Sequence, residues 1–474
     1  MLTRRQWMLA AGSLAASGSL ANASEGTETE NVSGKNEVQF TKSLPVKYDV
    51  DVFIAGGGPA GAAAAVAARK QGVSVFLAEA QSCLGGMGTA ALVPVFMQMS
   101  DGVNFLCGGF GQTVVDALKK ERLLKGPATD IEALKRVYDA LLKEAGVDFT
   151  FCTTFCETIV SDGHIDCVIC VAPSGMFAVR AKVYIDCTGN GDLAVRAGAK
   201  FEKGNAEGRL MPGTLCSVWS GIDWEKWKKA SRPQGMVQPQ GFRIKQAIAD
   251  GVFSVPDEHF CGAFEFGGDL GGGNIGHAFN VDGTDERSVT DALITCRRSM
   301  REFTRYFNEY LEGFENAQMI QTGSLMGIRE TRRIIGDYVL SLKDYRERAV
   351  FEDEIGRYSY PIDIHPLDPT SEGYAQHRKE FDETFRYKKG ESYGIPYRTL
   401  TPAGFENLLT AGRCISSDHY VHGSVRVMPG CYITGQAAGI AAARAIAEKT
   451  SVHEINVKTL QTALKDFGAF LPNC

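Results

Sequence analysis

Gly56, Gly58 and Gly61 are spaced G-x-G-x-x-G, and Glu79 stands about 20 residues further on. This spacing can hold a dinucleotide pyrophosphate. The first glycine makes a tight turn, the second lets the backbone approach the phosphates, and the third lets a helix press on a strand. Pro59 and Ala60 lie between them, where a helix start offers N–H groups and a dipole to an anion. Glu79, followed by Ala80, is placed to hold ribose hydroxyls. Three more turns can bring backbone close to the same ligand. They are Gly85, Gly86 and Thr89 in CLGGMGT, Gly189, Gly191 and Asp192 in TGNGD, and Gly412-Arg413. A second G-x-G-x-x-G, at Gly271, Gly273 and Gly276, lacks a preceding strand, a following helix and an acid, and reads as a mobile loop.

The elements that must position these residues are legible as patterns. Val50 to Ala55 is a short apolar run, as a parallel strand buried on both faces requires. An alanine-rich helix over Ala60–Lys70 follows, then a strand over Val73–Ala78 that ends at Glu79. Asp130–Ala145 is an amphipathic helix with Ile131, Leu134, Val137, Leu141 and Leu142 on one face. Residues 147–160, 165–172 and 176–181 alternate as antiparallel strands, and Val183–Cys187 is a further apolar strand leading into TGNGD. Arg287–Leu311 carries apolar residues at spacings of three and four, so it is a helix. Leu408–Ala411 is a strand that turns at Gly412, and Pro429-Gly430 opens an alanine-rich helix from about Cys431 to Glu448, whose start is a second anion site. The fold class is α/β: a Rossmann-like dinucleotide-binding domain over 47–205 and 391–474, with an α+β substrate domain over 206–390 inserted in it.

The chain has 474 residues, 44% hydrophobic, enough for more than one packed core. A net charge of −6 argues against a nucleic-acid partner. No apolar run reaches the ~18 to 20 residues of a membrane span. Arg4-Arg5 before a weakly apolar stretch, with Ala21-Asn22-Ala23 as an A-x-A cleavage site, reads as a twin-arginine signal over 1–23, followed by a polar linker over 24–46. Export to the periplasm is the expected localisation. The 13 cysteines form no disulfide framework. Cys152 and Cys156 lie along one strand-like run, too far apart to bond, and Cys167 and Cys170 fall on opposite faces of another. No metal site is expected.

The motifs GGGPAG with Glu79, CLGGMGT, IDCTGNGD, GIRETRRIIGDY, YPIDIH, YGIPYR, LLTAGRCIS and GSVRVMPGCYITGQAAGIAAA run from Tyr48 to about Ala447. In them the chain resembles the bacterial FAD-dependent oxidoreductases, flavoproteins of the glutathione-reductase type related in their flavin domain to the flavin subunit of heterodisulfide reductase. The resemblance implies FAD, with no tightly bound nicotinamide cofactor. Gly56, Gly58 and Gly61 would cradle its pyrophosphate, and Glu79 would hold the ribose. Gly85, Gly86 and Thr89 would lie along the ribityl chain and flavin. Gly189, Gly191 and Asp192 would close near the dinucleotide, and Gly412 and Arg413 would meet the ribityl side. Gly435, Gln436 and Ala437 would sit below the pyrimidine ring. The cluster-binding cysteine runs of heterodisulfide reductase are missing, as is the C-x-x-x-x-C of the disulfide reductases.

The same motifs supply the candidate catalytic residues His419, Arg426, His365, Arg329 and Arg398. The resemblance implies a hydride moving between flavin N5 and a small polar or anionic organic substrate, with an unidentified electron donor or acceptor. His419 or His365 would handle the proton, Arg329 and Arg398 would place the substrate, and Arg426 would stabilise negative charge. The alternative is an electron-transfer or thiol–disulfide flavoprotein of the heterodisulfide-reductase type, which would depend on Cys414 and Cys431.

Overall fold

The computed structural model describes residues 38–126, 128–230, 239–258 and 260–474. The expected targeting segment, 1–23, lies outside these residues, as does most of the linker. Residues 38–44 are coil, and Val38 and Phe40 are exposed.

Strand β1 (Val46–Ala55), helix α1 (Pro59–Lys70) and strand β2 (Val75–Ala78) form a βαβ unit with the two strands parallel. Helix α2 (Ile131–Ala145) is capped by the Asp130 carboxylate, which accepts from Ala133 N–H, and it ends at Gly146 in the left-handed region. It leads into β3 (Asp148–Thr150), which lies parallel to β2. Then come β4 (Thr154–Ser161), β5 (His164–Ala172) and the long β6 (Gly175–Asp186). One edge of β6 pairs parallel with β1, while its other edge holds β5 antiparallel near its start and the C-terminal strand Leu408–Thr410 parallel near its end. The seven-stranded sheet is therefore five parallel strands with an antiparallel hairpin on one flank.

Both faces of the parallel strands are buried, so their side chains alternate between two cores. Val52 and Ile54 enter one cluster, and Phe53 and Ala55 enter the other. Two expectations change here. The stretch 147–160 splits: β3 joins the parallel sheet, and Cys152 sits in the bend after it with φ 51°, so it does not share a strand with Cys156. The runs 176–181 and 183–187 are one strand.

The middle of the chain builds a second sheet from β7 (Ser217–Ser220), β8 (Phe260–Gly267), β9 (Leu270–Ile275) and β10 (Gln318–Thr322), in the order β8-β9-β7-β10 and antiparallel throughout. Helix α3 (Glu286–Tyr310) presents Met300, Phe303, Tyr306 and Phe307 to a core shared with Trp219, Trp224 and Phe260. Gly271 and Gly273 of the second glycine motif thus lie in a strand, not a mobile loop, and Gly276 follows it directly. Its glycines leave room for aromatic rings: a Cβ at Gly271 would stand 2.8 Å from Trp224, and one at Gly273 would stand 3.0 Å from Trp219. The expected inserted segment 206–390 is also not uniform. Leu340, Tyr345, Ile355, Tyr358, Ile362 and Phe385 are buried in the same core as α1, so the chain has rejoined the flavin-domain core well before residue 391.

After a short helix α4 (Ser371–Arg378), the last strand β11 (Leu408–Thr410), helix α5 (His419–Val425) and helix α6 (Met428–Glu448) complete the structure. α6 begins three residues earlier than its alanine pattern suggests. It lies against α1 at backbone distance, because Gly435 and Gly439 have no side chain to hold Ala60 and Ala64 away. Among the described residues, no helix is long and apolar enough to cross a membrane.

Candidate active site

The carboxyl ends of β1, β2, β6 and β11 point the same way because their strands are parallel. The turns after them form one wall of a cavity of about 1090 Å³, above the ~300–1,000 Å³ usual for a small-ligand pocket. Gly56, Gly58, Pro59, Ala60, Glu79, Ala80, Gly86, Gly189, Asp192, Gly412 and Arg413 all line it. The lining also includes Arg329, Asp363, His365 and Arg426, and the apolar side chains of Phe242, Ile244 and Phe260.

The three glycines of the first motif do three different things. Gly56 has φ 91°, and a Cβ there would meet the Cys187 carbonyl at 2.7 Å. A Cβ at Gly61 would collide with the Gly56 carbonyl, so α1 needs glycine to pack on β1. Gly58 has no protein atom within 4 Å of its Cβ position. Its empty side faces the cavity, and no side chain caps α1. α6 likewise has no side-chain cap, and Val427, Met428 and Cys431 at its start line the same cavity. Two helix N-termini with open N–H groups therefore meet one space, which suits an anionic ligand at each.

Glu79 is buried, and each carboxylate oxygen accepts one backbone N–H, from Gly57 at 2.6 Å and Gln81 at 2.7 Å. Burial raises its carboxyl above the usual range against these bonds. Each oxygen keeps a lone pair for a hydroxyl donor. At the end of β6, the buried Asp186 accepts from Thr188 N–H and Oγ1–H and from Ala194 N–H, which fixes the TGNGD turn. Burial pushes this carboxyl up to about 6. Arg413 clamps the same turn, donating to Gly189 O at 2.9 Å, Asn190 Oδ1 at 2.6 Å and Ile328 O.

Other sequence candidates lie elsewhere. Gly85 faces Thr89 and Tyr138, and the Thr89 hydroxyl donates to Leu84 O, so both shape the loop from behind. Gly191 packs under Ile334. Gly435, Gln436 and Ala437 are not below the cavity. Because α6 starts at Met428, they fall in its second and third turns, where Gly435 meets α1 and Gln436 accepts from Phe110 N–H at 3.0 Å, holding a neighbouring helix start. Arg398 is half-exposed in a bidentate pair with Asp353, away from the cavity. His419 also lies outside it. Its Nδ1 is 2.9 Å from Glu330 Oε1, a fully buried carboxylate that Arg333 also engages. His419 thus bonds the buried Glu330–Arg333 pair and does not line the cavity.

His365, Arg329 and Arg426 do share the cavity. Arg329 donates through Nη1 to Pro212 O and Thr214 Oγ1. Arg426 donates through Nη2 to Asp363 O at 3.1 Å, while its buried Nε has no hydrogen-bond partner. Burial, then Arg329, hold His365 well below the usual imidazole range against the pull of Asp363. Asp363 is held well below the carboxylate range: burial opposes this, but His365 and Arg426 outweigh it. Sequence reasoning missed Asp363, although it lies inside the quoted motif YPIDIH, and it missed His277, which bonds His365 from a different segment.

Residues 51–464 match the family model described as FAD dependent oxidoreductase. The chain belongs to that family. Its cofactor is FAD, and the family makes it an oxidoreductase. The uncapped α1 start, the empty side of Gly58 and the spare acceptor capacity of Glu79 fit the dinucleotide of this FAD-dependent oxidoreductase. A search of curated proteins gives no match. Among solved structures, a geranylgeranyl bacteriochlorophyll reductase-like protein from Thermoplasma acidophilum aligns at 13% identity and a TM-score of 0.44, over 89% of this chain and 84% of its own. A flavin-dependent brominase aligns at 14% and 0.43, over 88% and 83%. A p-nitrophenol 4-monooxygenase from Pseudomonas putida aligns at 12% and 0.42, over 88% and 84%. At these values the likenesses decide nothing about the reaction.

The thiols bear on the mechanism. Burial pushes Cys431 up to about 12 and Cys414 well above the usual thiol range. A thiolate, not a thiol, is the nucleophile in disulfide exchange, so neither cysteine is activated for it.

Proposed function

We propose that this oxidoreductase transfers a hydride between FAD and a small organic substrate bearing a carboxylate. The observation that carries the reading is the wall shared by Arg329, Arg426 and His365. The two arginines then bind and orient the substrate carboxylate. His365 takes or returns the proton that must accompany the hydride. Bound FAD supplies the hydride acceptor or donor. The start of α6 faces the cavity with open N–H groups, which stabilise negative charge arising there. The apolar side around Phe242, Ile244 and Phe260 excludes water from the reacting carbon. The resting state of Cys414 and Cys431 supports hydride transfer over thiol exchange.

The test is spectroscopic. Oxidised holoenzyme is mixed anaerobically with hydroxy- and amino-carboxylates, and dithionite-reduced holoenzyme with oxo- and unsaturated carboxylates, each beside its decarboxy analogue. A carboxylate should change the flavin absorbance where its analogue does not, and Arg329→Met or Arg426→Met should slow that change about 10²-fold or more. Equal reaction of acid and analogue, or unchanged rates in both variants, would overturn the reading.

We also propose export by the twin-arginine route, on the strength of Arg4-Arg5 and Ala21-Asn22-Ala23. Replacing both arginines by lysine should leave folded, FAD-loaded protein in the cytoplasm. Periplasmic accumulation equal to wild type would refute this.

A further inference from the structure

The second sheet turns its two faces to different surroundings. In an antiparallel sheet, directly opposed residues share a face, as do residues two apart on one strand. The register places Trp219, Ala263, Gly271 and Gly273 on one face, and Val218, Phe264, Gly272 and Asn274 on the other. On the first face, Trp219 and Ala263 enter the aromatic core shared with α3. On the second, Phe264 and Asn274 line the cavity. So does Cys216, one residue before β7, whose Sγ lies 3.8 Å from Asn274 Oδ1. Phe264 is half-buried there. Phe266, two residues on, packs instead against the cluster of Leu92, Ile131 and Cys216.

The neighbouring segments extend this surface with apolar side chains. The segment 93–97 lies against the same face, where a Cβ at Gly272 would stand 2.5 Å from Pro94, and Val93, Val95 and Met97 line the cavity. Phe242 and Ile244 line it as well, and Gln240 ties their segment to β8 by donating to Ala263 O at 2.9 Å. Lys245 and Glu258 belong to the same lining and engage each other at 2.9 Å. Arg329 hangs on the same sheet. It donates to Thr214 Oγ1 at 2.9 Å, and the Thr214 hydroxyl donates at 2.9 Å to Gly276 O, just past the end of β9. One sheet therefore carries both a cation and an apolar surface to the cavity.

Resting on the carboxylate reading above, we propose that the substrate is amphipathic: the carboxylate held by Arg329 and Arg426 carries a hydrocarbon body, which seats against Phe264, Phe242 and Ile244. A small polar acid would leave these side chains facing water. A hydrocarbon body removes them from it, and each buried methylene adds to binding in proportion to the area covered. Arg329 fixes which end of the substrate enters, because a charge-assisted hydrogen bond is directional. Phe264, Phe242 and Ile244 decide how large a body is accepted, because hydrophobic contact depends on area and not on direction. A lining of hydrophobic and aromatic side chains around a few polar groups is the usual make-up of a site for such a ligand. Phe264 and Phe242 are thus specificity-determining residues.

Binding to the FAD-loaded enzyme tests this without turnover. Straight-chain alkanoates from butanoate to decanoate, and the matching primary alkanols, are titrated by calorimetry and by the change in flavin absorbance. The dissociation constant of the acids should fall about three- to fourfold for each added methylene. Phe264→Ser should weaken decanoate about tenfold more than butanoate. Phe242→Ser, the alternative should Phe264→Ser lose its FAD, should do the same. Arg329→Met should weaken every acid by a common factor and keep the slope. Acids whose affinity does not change with length overturn the proposal, since the apolar lining is then closed to substrate. A slope kept intact in both phenylalanine variants also overturns it, because the body then lies elsewhere. If alkanols bind as tightly as acids and lose the same slope in Phe264→Ser, the carboxylate reading fails and the apolar site stands. If butanoate binds through Arg329 and longer acids gain nothing, the carboxylate reading stands and this proposal falls.

Discussion

At the scale of single residues, the G-x-G-x-x-G motif separates into one packing glycine, one turn glycine and one that faces open space. Gly58 has φ −64° and ψ −174°, which a β-branched residue adopts, so valine there should fold normally. The added side chain would enter the space the pyrophosphate needs. Gly58→Val should keep its far-UV circular dichroism and lose FAD on gel filtration, whereas retained stoichiometric FAD would contradict the assignment. Gly61→Val should instead fail to fold, because no side chain fits against the Gly56 carbonyl. The packing role of Gly61 was legible because it is set by Gly56, a neighbour close in sequence. His419, Arg398 and Gln436 were misplaced for the opposite reason. Their positions are set by Glu330, Asp353 and the start of the helix Phe110–Lys120, and nothing local in the sequence names those partners. The contact of His277 with His365 was invisible for the same reason, since it joins residues 88 positions apart.

At the scale of elements, the strands and helices of the dinucleotide fold follow their hydrophobic patterns closely, and the misses occur where packing overrides propensity. Three glycines in β9 would argue against a strand, yet Trp219, Trp224 and Phe266 pack on them. The contact of α1 with α6 has the same character. Gly439 lies in the middle of a helix, where alanine is worth about 1 kcal/mol more than glycine by propensity alone. Here its Cβ would strike the Ala64 carbonyl, a backbone atom that cannot rotate away. Overpacking of this kind costs about 1–3 kcal/mol, so the steric effect should win. Gly439→Ala should lower the urea midpoint and loosen FAD together, since α6 carries its own N-terminus to the cavity. A gain in stability would show that the helices can part without cost.

At the scale of the whole molecule, stability should depend on pH through groups far from the surface. His422 is fully buried, its Nε2 bonds Arg413 O at 3.1 Å, and its Nδ1 has no partner. Burial, then Arg333, Arg426 and His419, hold it well below the usual imidazole range. The unfolded chain takes a proton there below about pH 6.5 and the folded chain does not, so this group's contribution is complete above that pH and is lost as pH falls. Asp186, raised to about 6, runs the other way and is most favourable at low pH, so only a comparison between variants isolates the histidine. His422→Gln keeps a donor for Arg413 O. Between about pH 7.5 and about pH 5.5 it should lose roughly 1 kcal/mol less unfolding free energy than wild type in urea titrations; equal losses would place the titrating group elsewhere. The topology also has a consequence for biosynthesis. β11 seats against β6, and α6 against α1, so the wall that receives FAD is built from both extremities of the chain. At ~5–20 residues per second, ribosomes need roughly 20 to 90 s before the last of these segments emerges. Until then the nascent chain has no finished pocket, and an apolar face of the parallel sheet waits uncovered. The pocket therefore closes only when the last helix packs on the first.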